Sequence, residues 1–174
     1  MSNILLVSGY GIGNQILNTP LFAALHSLGH NLAVISEHIG SDTLTGNPNI
    51  SAVIPWYPGH DSYDTQIETF IDQKVRPEIG IACVPVHGNA PDKFLSHCKT
   101  IMNYGKIENW TRHEADFSLD YARELGWTGD WIRSEIFIPD EIEAEIQQEV
   151  DTLDSGRPIV GFHYGCIKSW NWIY

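Results

Sequence analysis

The chain has 174 residues, 43% apolar and 18% charged, the balance of a globular domain with a core of its own. Acids outnumber bases 22 to 10, the net charge is −12, and no Lys or Arg occurs before Lys74, so a nucleic-acid backbone and an anionic membrane surface are both repelled. Three cysteines, Cys83, Cys98 and Cys166, stand far apart without a C-x-x-C pair, which excludes a disulfide framework and a cysteine zinc site and suits a reducing compartment.

The apolar run Asn3 to Ser8 opens the chain with no basic flank and reads as a buried parallel strand, not a signal peptide. Gly9-Tyr10-Gly11-Ile12-Gly13 follows as a tight turn, where a β-branched residue at Gly13 is expected to be strained. A helical face then runs through Leu17, Leu21, Ala24, Leu25 and Leu28 to Gly29. Pro20 either kinks that helix or starts a new one with Thr19 as its cap. Leu32 to Ser36 and Ser51 to Pro55 read as the second and third strands, and Ser62 as the cap of a helix carrying Ile67, Phe70 and Ile71. Glu78 to Val86 is a further buried strand, and Phe94, Leu95, Cys98, Ile101 and Met102 form an apolar helical face closed by Gly105. His113 to Leu125 predicts a helix stopped by Gly126, Asp140 to Leu153 the clearest amphipathic helix, and Pro158 to His163 a last strand. No apolar stretch approaches the roughly 20 residues of a membrane span. Alternating strands and helices predict an α/β, Rossmann-like, mostly parallel sheet with helices on both faces. The aromatic end, Ser169 to Tyr174, is expected to be covered by a second domain or a partner chain.

The glycine turn between a strand and a helix is a place for backbone N–H groups to face an anion. The dinucleotide pattern G-x-G-x-x-G fails in both registers, because its last glycine would fall on Asn14 or Ile16. Glu37, at the end of the second strand, is the residue that would meet a ribose. A Walker loop, a G-x-S-x-G elbow and a D-x-D pair are absent, His113-Glu114 lacks its second histidine, and the eight histidines have no metal spacing. No metal site is expected.

Gly11-Ile-Gly13-Asn-Gln-Ile-Leu-Asn-Thr19-Pro20-Leu-Phe-Ala-Ala-Leu25 resembles the N-terminal motif of glycosyltransferase family 9, the heptosyltransferase-like enzymes. His113 through Gly126 is similar to the family's helix from His to Leu-Gly, and Arg157 through Cys166 resembles the strand that opens its second domain. The resemblance implies half of a two-domain GT-B fold, with an N-terminal acceptor-side domain at 1–156 and the start of a truncated donor-binding domain at 157–174. It implies inverting, metal-independent transfer of a sugar to a glycan or other hydroxyl, with a nucleotide-diphosphate sugar as co-substrate and no cofactor. By position, Gly11, Gly13 and Thr19 line the substrate and Asn14 stands where the family has its catalytic Asp. An amide accepts no proton at neutral pH, so another group is the base, or the chain is an inactive glycan-binding module. A dinucleotide-dependent oxidoreductase is the remaining alternative. Lys168 is a candidate for the donor phosphate, with an ordinary surface lysine the favoured reading. The resemblance further implies a cytoplasmic protein of lipopolysaccharide biosynthesis that meets a membrane peripherally if at all, with a second domain or partner at Pro158 to Tyr174. Without a cation in its first 73 residues, this half is expected to take a neutral or weakly charged acceptor.

Overall fold

A computed structural model describes residues 1–8, 11–83, 90–103 and 112–153. The chain divides into two compact units, Met1–Phe137 and Ile138–Tyr174.

The first unit is built on five parallel strands: β1 (Asn3–Ser8), β2 (Asn31–Glu37), β3 (Ala52–Trp56), β4 (Ile79–Ala82) and β5 (Thr100–Met102). Their spatial order is β3-β2-β1-β4-β5, so the direction of winding reverses beside β1. β1 pairs β2 from Asn3↔Asn31 to Ser8↔Ser36 and pairs β4 from Ile4↔Ile79 to Val7↔Ala82. Among the described residues its α-helices are α1 (Ile12–Leu17), α2 (Thr19–Ser27), α3 (His38–Ser41), α4 (Asp61–Phe70), α5 (Ala90–Leu95) and α6 (Glu114–Glu124).

The period-two pattern of β1 divides the core. Ile4 and Leu6 pack with Leu21, Phe22 and Leu25 of α2 and with Leu119, Tyr121 and Ala122 of α6. Leu5 and Val7 pack on the opposite face with Ile67 of α4 and with Phe94 and Leu95 of α5. A strand buried on both faces reads as a continuous apolar run, which is what Ile4-Leu5-Leu6-Val7 is. Each such side chain contributes about 1.5–3 kcal/mol on burial.

Pro20 starts a new helix: α2 begins at Thr19, with Asn18 rather than Thr19 at the N-cap position. Proline falls in the first turn, where a missing N–H removes no helical bond. Gly29, at φ 82°, ends the segment by donating its N–H to the His26 carbonyl. α4 begins at Asp61, with His60 rather than Ser62 at the cap position, and runs on into a π-helical turn, Ile71–Val75.

The expected helix through Ile101 and Met102 is corrected. α5 stops at Leu95, and Thr100–Met102 is the edge strand β5, paired Ile79↔Thr100 to Ile81↔Met102. A turn intervenes in which Ser96 and Cys98 donate their N–H groups back to the carbonyls of Asp92 and Leu95. α6 matches its predicted span to within one residue at each end, between His113 at the cap position and Gly126 at φ 99°.

In the second unit the described element is α7 (Asp140–Leu153), as predicted. Asp140, Glu141 and Glu143 sit in its first turn, where carboxylates complement the helix dipole. Ile142, Ile146 and Val150 are exposed. The domain boundary after 156, the strand from Pro158, Lys168 and the aromatic end through Tyr174 lie outside the described residues.

Candidate functional site

In open α/β sheets the crevice for a ligand lies beyond the carboxyl ends of the strands, where the winding reverses. Here that edge is formed by Ser8, Glu37, Trp56 and Ala82, the last residues of β1 to β4.

Beyond β1, Gly11 takes φ 84° and ψ 154°, a backbone conformation that essentially only glycine adopts. Its N–H donates to Glu37 Oε2 at 3.2 Å. The anion at this turn is therefore the protein's own carboxylate, brought across from the end of β2. A phosphate placed against the same N–H would meet that negative charge, which counts against a dinucleotide there. Gly13 has an ordinary backbone, and no atom lies within 4 Å of where a Cβ would stand. The strain expected at Gly13 belongs to Gly11 instead, and Gly13 borders open space.

Asn14 is half-buried in α1. Its carbonyl accepts the Asn18 side-chain amide at 2.9 Å and the Asn18 backbone N–H at 3.2 Å. Thr19 is buried and its hydroxyl is engaged twice within the fold, donating to the Ile16 carbonyl at 2.8 Å and accepting the Glu135 N–H at 2.9 Å. Asn18, which sequence reasoning passed over, is the centre of the junction. Fully buried, it also donates to Ser8 Oγ at 3.4 Å and accepts from Ser118 Oγ at 2.7 Å. Tyr121 donates its hydroxyl to the Ala82 carbonyl at 2.7 Å. α6 is thus tied to the end of β4 directly through Tyr121 and to the end of β1 through Asn18. Gly40 of α3 lies so close to the buried Gln15 of α1 that a Cβ would come within 2.6 Å of its side chain.

A group of rings extends the edge past β2 and β3. His38, directly after Glu37, stacks on Tyr57 at 4.6 Å between centroids and an interplanar angle of 20°. Tyr57 lies 4.9 Å from Tyr63, and His60 closes on Tyr63 at 6.0 Å and on Tyr57 at 6.5 Å. Tyr57 is half-buried, and the other three are exposed. The sequence carried one sign of them, the aromatic density of Trp56-Tyr57 at a strand end, since residues on loops after parallel strands face the crevice.

The charge around these rings is negative. Asp64 accepts from Trp56 Nε1 at 2.9 Å and pairs with Lys93 at 2.5 Å, while Glu68 stands 3.9 Å from the same ammonium. The hydrogen bond with Asp64 holds the Lys93 pKa above its ordinary value. Cys83, just past β4, is completely buried, and burial pushes its thiol far above the usual range. It is a core residue and no thiolate nucleophile. Among the described residues no group of three or more His, Cys, Asp or Glu side chains could hold a metal ion, and no helix is long and apolar enough to cross a membrane.

No protein-family model matches the sequence, and no curated protein matches it. Solved structures do share the fold. The glycosyl transferase family 9 protein from Veillonella parvula DSM 2008 superposes with a TM-score of 0.73 at 20% identity, over 88% of this chain and 50% of that one. Escherichia coli ADP-heptose LPS heptosyltransferase II gives 0.65 at 12% identity, over 90% and 52%. Escherichia coli heptosyltransferase WaaC with ADP gives 0.58 at 12% identity, over 76% and 50%. At these identities the likeness is one of fold, and this chain spans about half the length of each structure.

Proposed function

We propose that this chain is the acceptor-side half of a family 9, heptosyltransferase-like glycosyltransferase, which transfers a sugar from a nucleotide-diphosphate donor with inversion and without a metal. The observation that carries the reading is a coincidence of motif and place. The Gly11-to-Leu25 segment, which resembles the family's N-terminal motif, follows the carboxyl end of β1, beside the reversal of the sheet, in a fold shared with a glycosyl transferase family 9 protein and with an ADP-heptose LPS heptosyltransferase. A second Rossmann-like half, on the same chain or on a partner, brings the donor.

In the reaction an acceptor hydroxyl attacks the anomeric carbon from the face opposite the diphosphate. The new C–O bond forms as the bond to the leaving oxygen breaks, and the hydroxyl proton passes to a base. Asn14 cannot be that base. Glu37 is the carboxylate that the fold carries to the same turn, held by the Gly11 N–H, and it takes the proton in this scheme. Gly11 orients Glu37, Gly13 leaves room for the acceptor, and Thr19 acts through the helix junction. The site is cytoplasmic, where nucleotide sugars are made.

The test is to incubate the product of the complete reading frame with ADP-, UDP- and GDP-activated sugars and a mixture of glycan acceptors, with EDTA present. Release of nucleoside diphosphate with an inverted glycoside as product is the expected result. Release that EDTA abolishes, or a retained anomeric configuration, overturns the proposed chemistry. The amide at Asn14 favours one second reading, a glycan-binding module without catalysis, which binds acceptor sugars and turns over no donor.

A further inference from the structure

From the cluster His38, Tyr57, His60 and Tyr63 we infer a stacking platform for an uncharged pyranose ring, and with it an acceptor that is neutral where it meets this half. The inference rests on the transferase reading for the word acceptor, but the binding site stands on its own geometry.

The four rings come from three separate places: the residue after β2, the residue after β3, and the start of α4. They converge on Tyr57, whose centroid lies 4.6 Å from His38, 4.9 Å from Tyr63 and 6.5 Å from His60. Such convergence at a strand edge presents apolar faces next to polar rims, because each ring carries a hydroxyl or imidazole nitrogen. A pyranose has the complementary make-up, with C–H bonds on its faces and hydroxyls around its edge. Tyr63 is 44% exposed, and His38 and His60 are exposed with it, so the cluster is open to a ligand from solvent. The Tyr57 side chain, stacked under His38 and tilted against Tyr63, is the fixed member that holds the others in place.

Charge sets the specificity. Glu37 precedes His38 and Asp61 follows His60, while Lys93 is paired to Asp64 and lies near Glu68. The first 73 residues contain no Lys or Arg at all. A phosphorylated or carboxylated sugar placed on the platform would meet carboxylates and no free cation among the described side chains of its own segment, and discrimination against the wrong ligand comes from that repulsion.

The experiment follows ring resonances of the 174-residue protein by NMR while methyl glucoside, methyl galactoside or methyl mannoside is added, with glucuronic acid and glucose 6-phosphate as charged counterparts. At least one neutral glycoside should shift the Tyr57 and Tyr63 ring signals and receive saturation transfer on its ring C–H protons. Both acids should bind at least about tenfold more weakly. Tyr63→Ala should weaken the neutral sugar by about threefold to tenfold, the range of one aromatic stacking contact, and Tyr63→Phe should keep most of it. Tyr63 is exposed, so a folding defect does not explain such a loss, and an unchanged amide spectrum checks the point. Equal or tighter binding of the charged sugars, no ring shift with any glycoside, or full affinity in Tyr63→Ala overturns the platform. If the platform binds but the complete gene product releases no nucleotide, the transferase reading fails alone. If turnover proceeds and Tyr63→Ala leaves the acceptor KM unchanged, the platform fails alone.

Discussion

Gly11 and Gly13 stand two residues apart and do different work. At Gly11 the backbone at φ 84° and ψ 154° lets the N–H reach Glu37, and any side chain there is strained whatever the space around it. Gly11→Ala should cost about 1–3 kcal/mol and detach the carboxylate from the turn. Gly13 has open space and an ordinary backbone, so Gly13→Ala should leave stability unchanged or raise it by up to about 1 kcal/mol, as removing a helical glycine does. Urea unfolding of the two variants checks the pair, and an equal loss in both would show that the turn, not one residue of it, sets the cost. Asn18 belongs to the same scale. Its side-chain hydrogen bonds to Ser8, Asn14 and Ser118 join β1, α1 and α6, and leaving any of these buried groups unpaired costs more than the bond itself contributes.

α5 and β5 show what one small residue decides about an element. β4 carries Gly80, and a Cβ there would come within 2.7 Å of Cys98 Sγ and 2.8 Å of Leu95 Cδ2. The turn after α5 therefore lies directly on the strand, and burial of the Cys98 thiol in that contact raises its pKa to about 11. Gly80→Ala should destabilise by about 1–3 kcal/mol through overpacking, and Cys98→Ala introduced with it should recover part of that loss. Denaturant midpoints of the two variants decide the matter, and a neutral Gly80→Ala would mean the turn yields freely. The same region marks the limit of reading structure from sequence. β1 and β2 were legible because strands buried on both faces are unbroken apolar runs, and α6 and α7 because their apolar spacing stops at recognisable ends. β5 was not, because three residues, Thr100-Ile101-Met102, at a sheet edge look the same as the tail of the helical face before them. The glycine turn of the candidate site was legible for the same local reason. The ring cluster was legible only in part: Tyr57, His60 and Tyr63 are near neighbours in sequence, but only the pairing of β2 beside β3 brings His38 onto Tyr57.

Charge acts on the whole molecule. With 22 acids, 10 bases and a net charge of −12, the compact state is held against its own repulsion. Some of that is offset locally. Arg112 and Arg123 both reach Asp116 and Asp120 on α6. Partial burial pushes the Asp120 carboxyl up, but hydrogen bonds from the two guanidinium groups outweigh it and hold its pKa below the ordinary value. These pairs are exposed, and exposed pairs contribute little each. Added salt weakens both the pairs and the general repulsion, over a screening length of about 10 Å at 0.1 M, so the two effects compete with opposite signs. Since the bases are outnumbered by more than two to one and the first 73 residues hold only acids, repulsion is the larger of the two. The melting temperature at pH 7 should therefore rise by about 2–4 °C between 10 mM and 0.3 M sodium chloride, corresponding to about 1 kcal/mol for a chain of this size. A calorimetric scan at the two salt concentrations makes the measurement. A fall in melting temperature would mean that the ion pairs of α6 and Lys93 outweigh the field, and the same field could then no longer be invoked to turn anionic sugars away from the ring cluster.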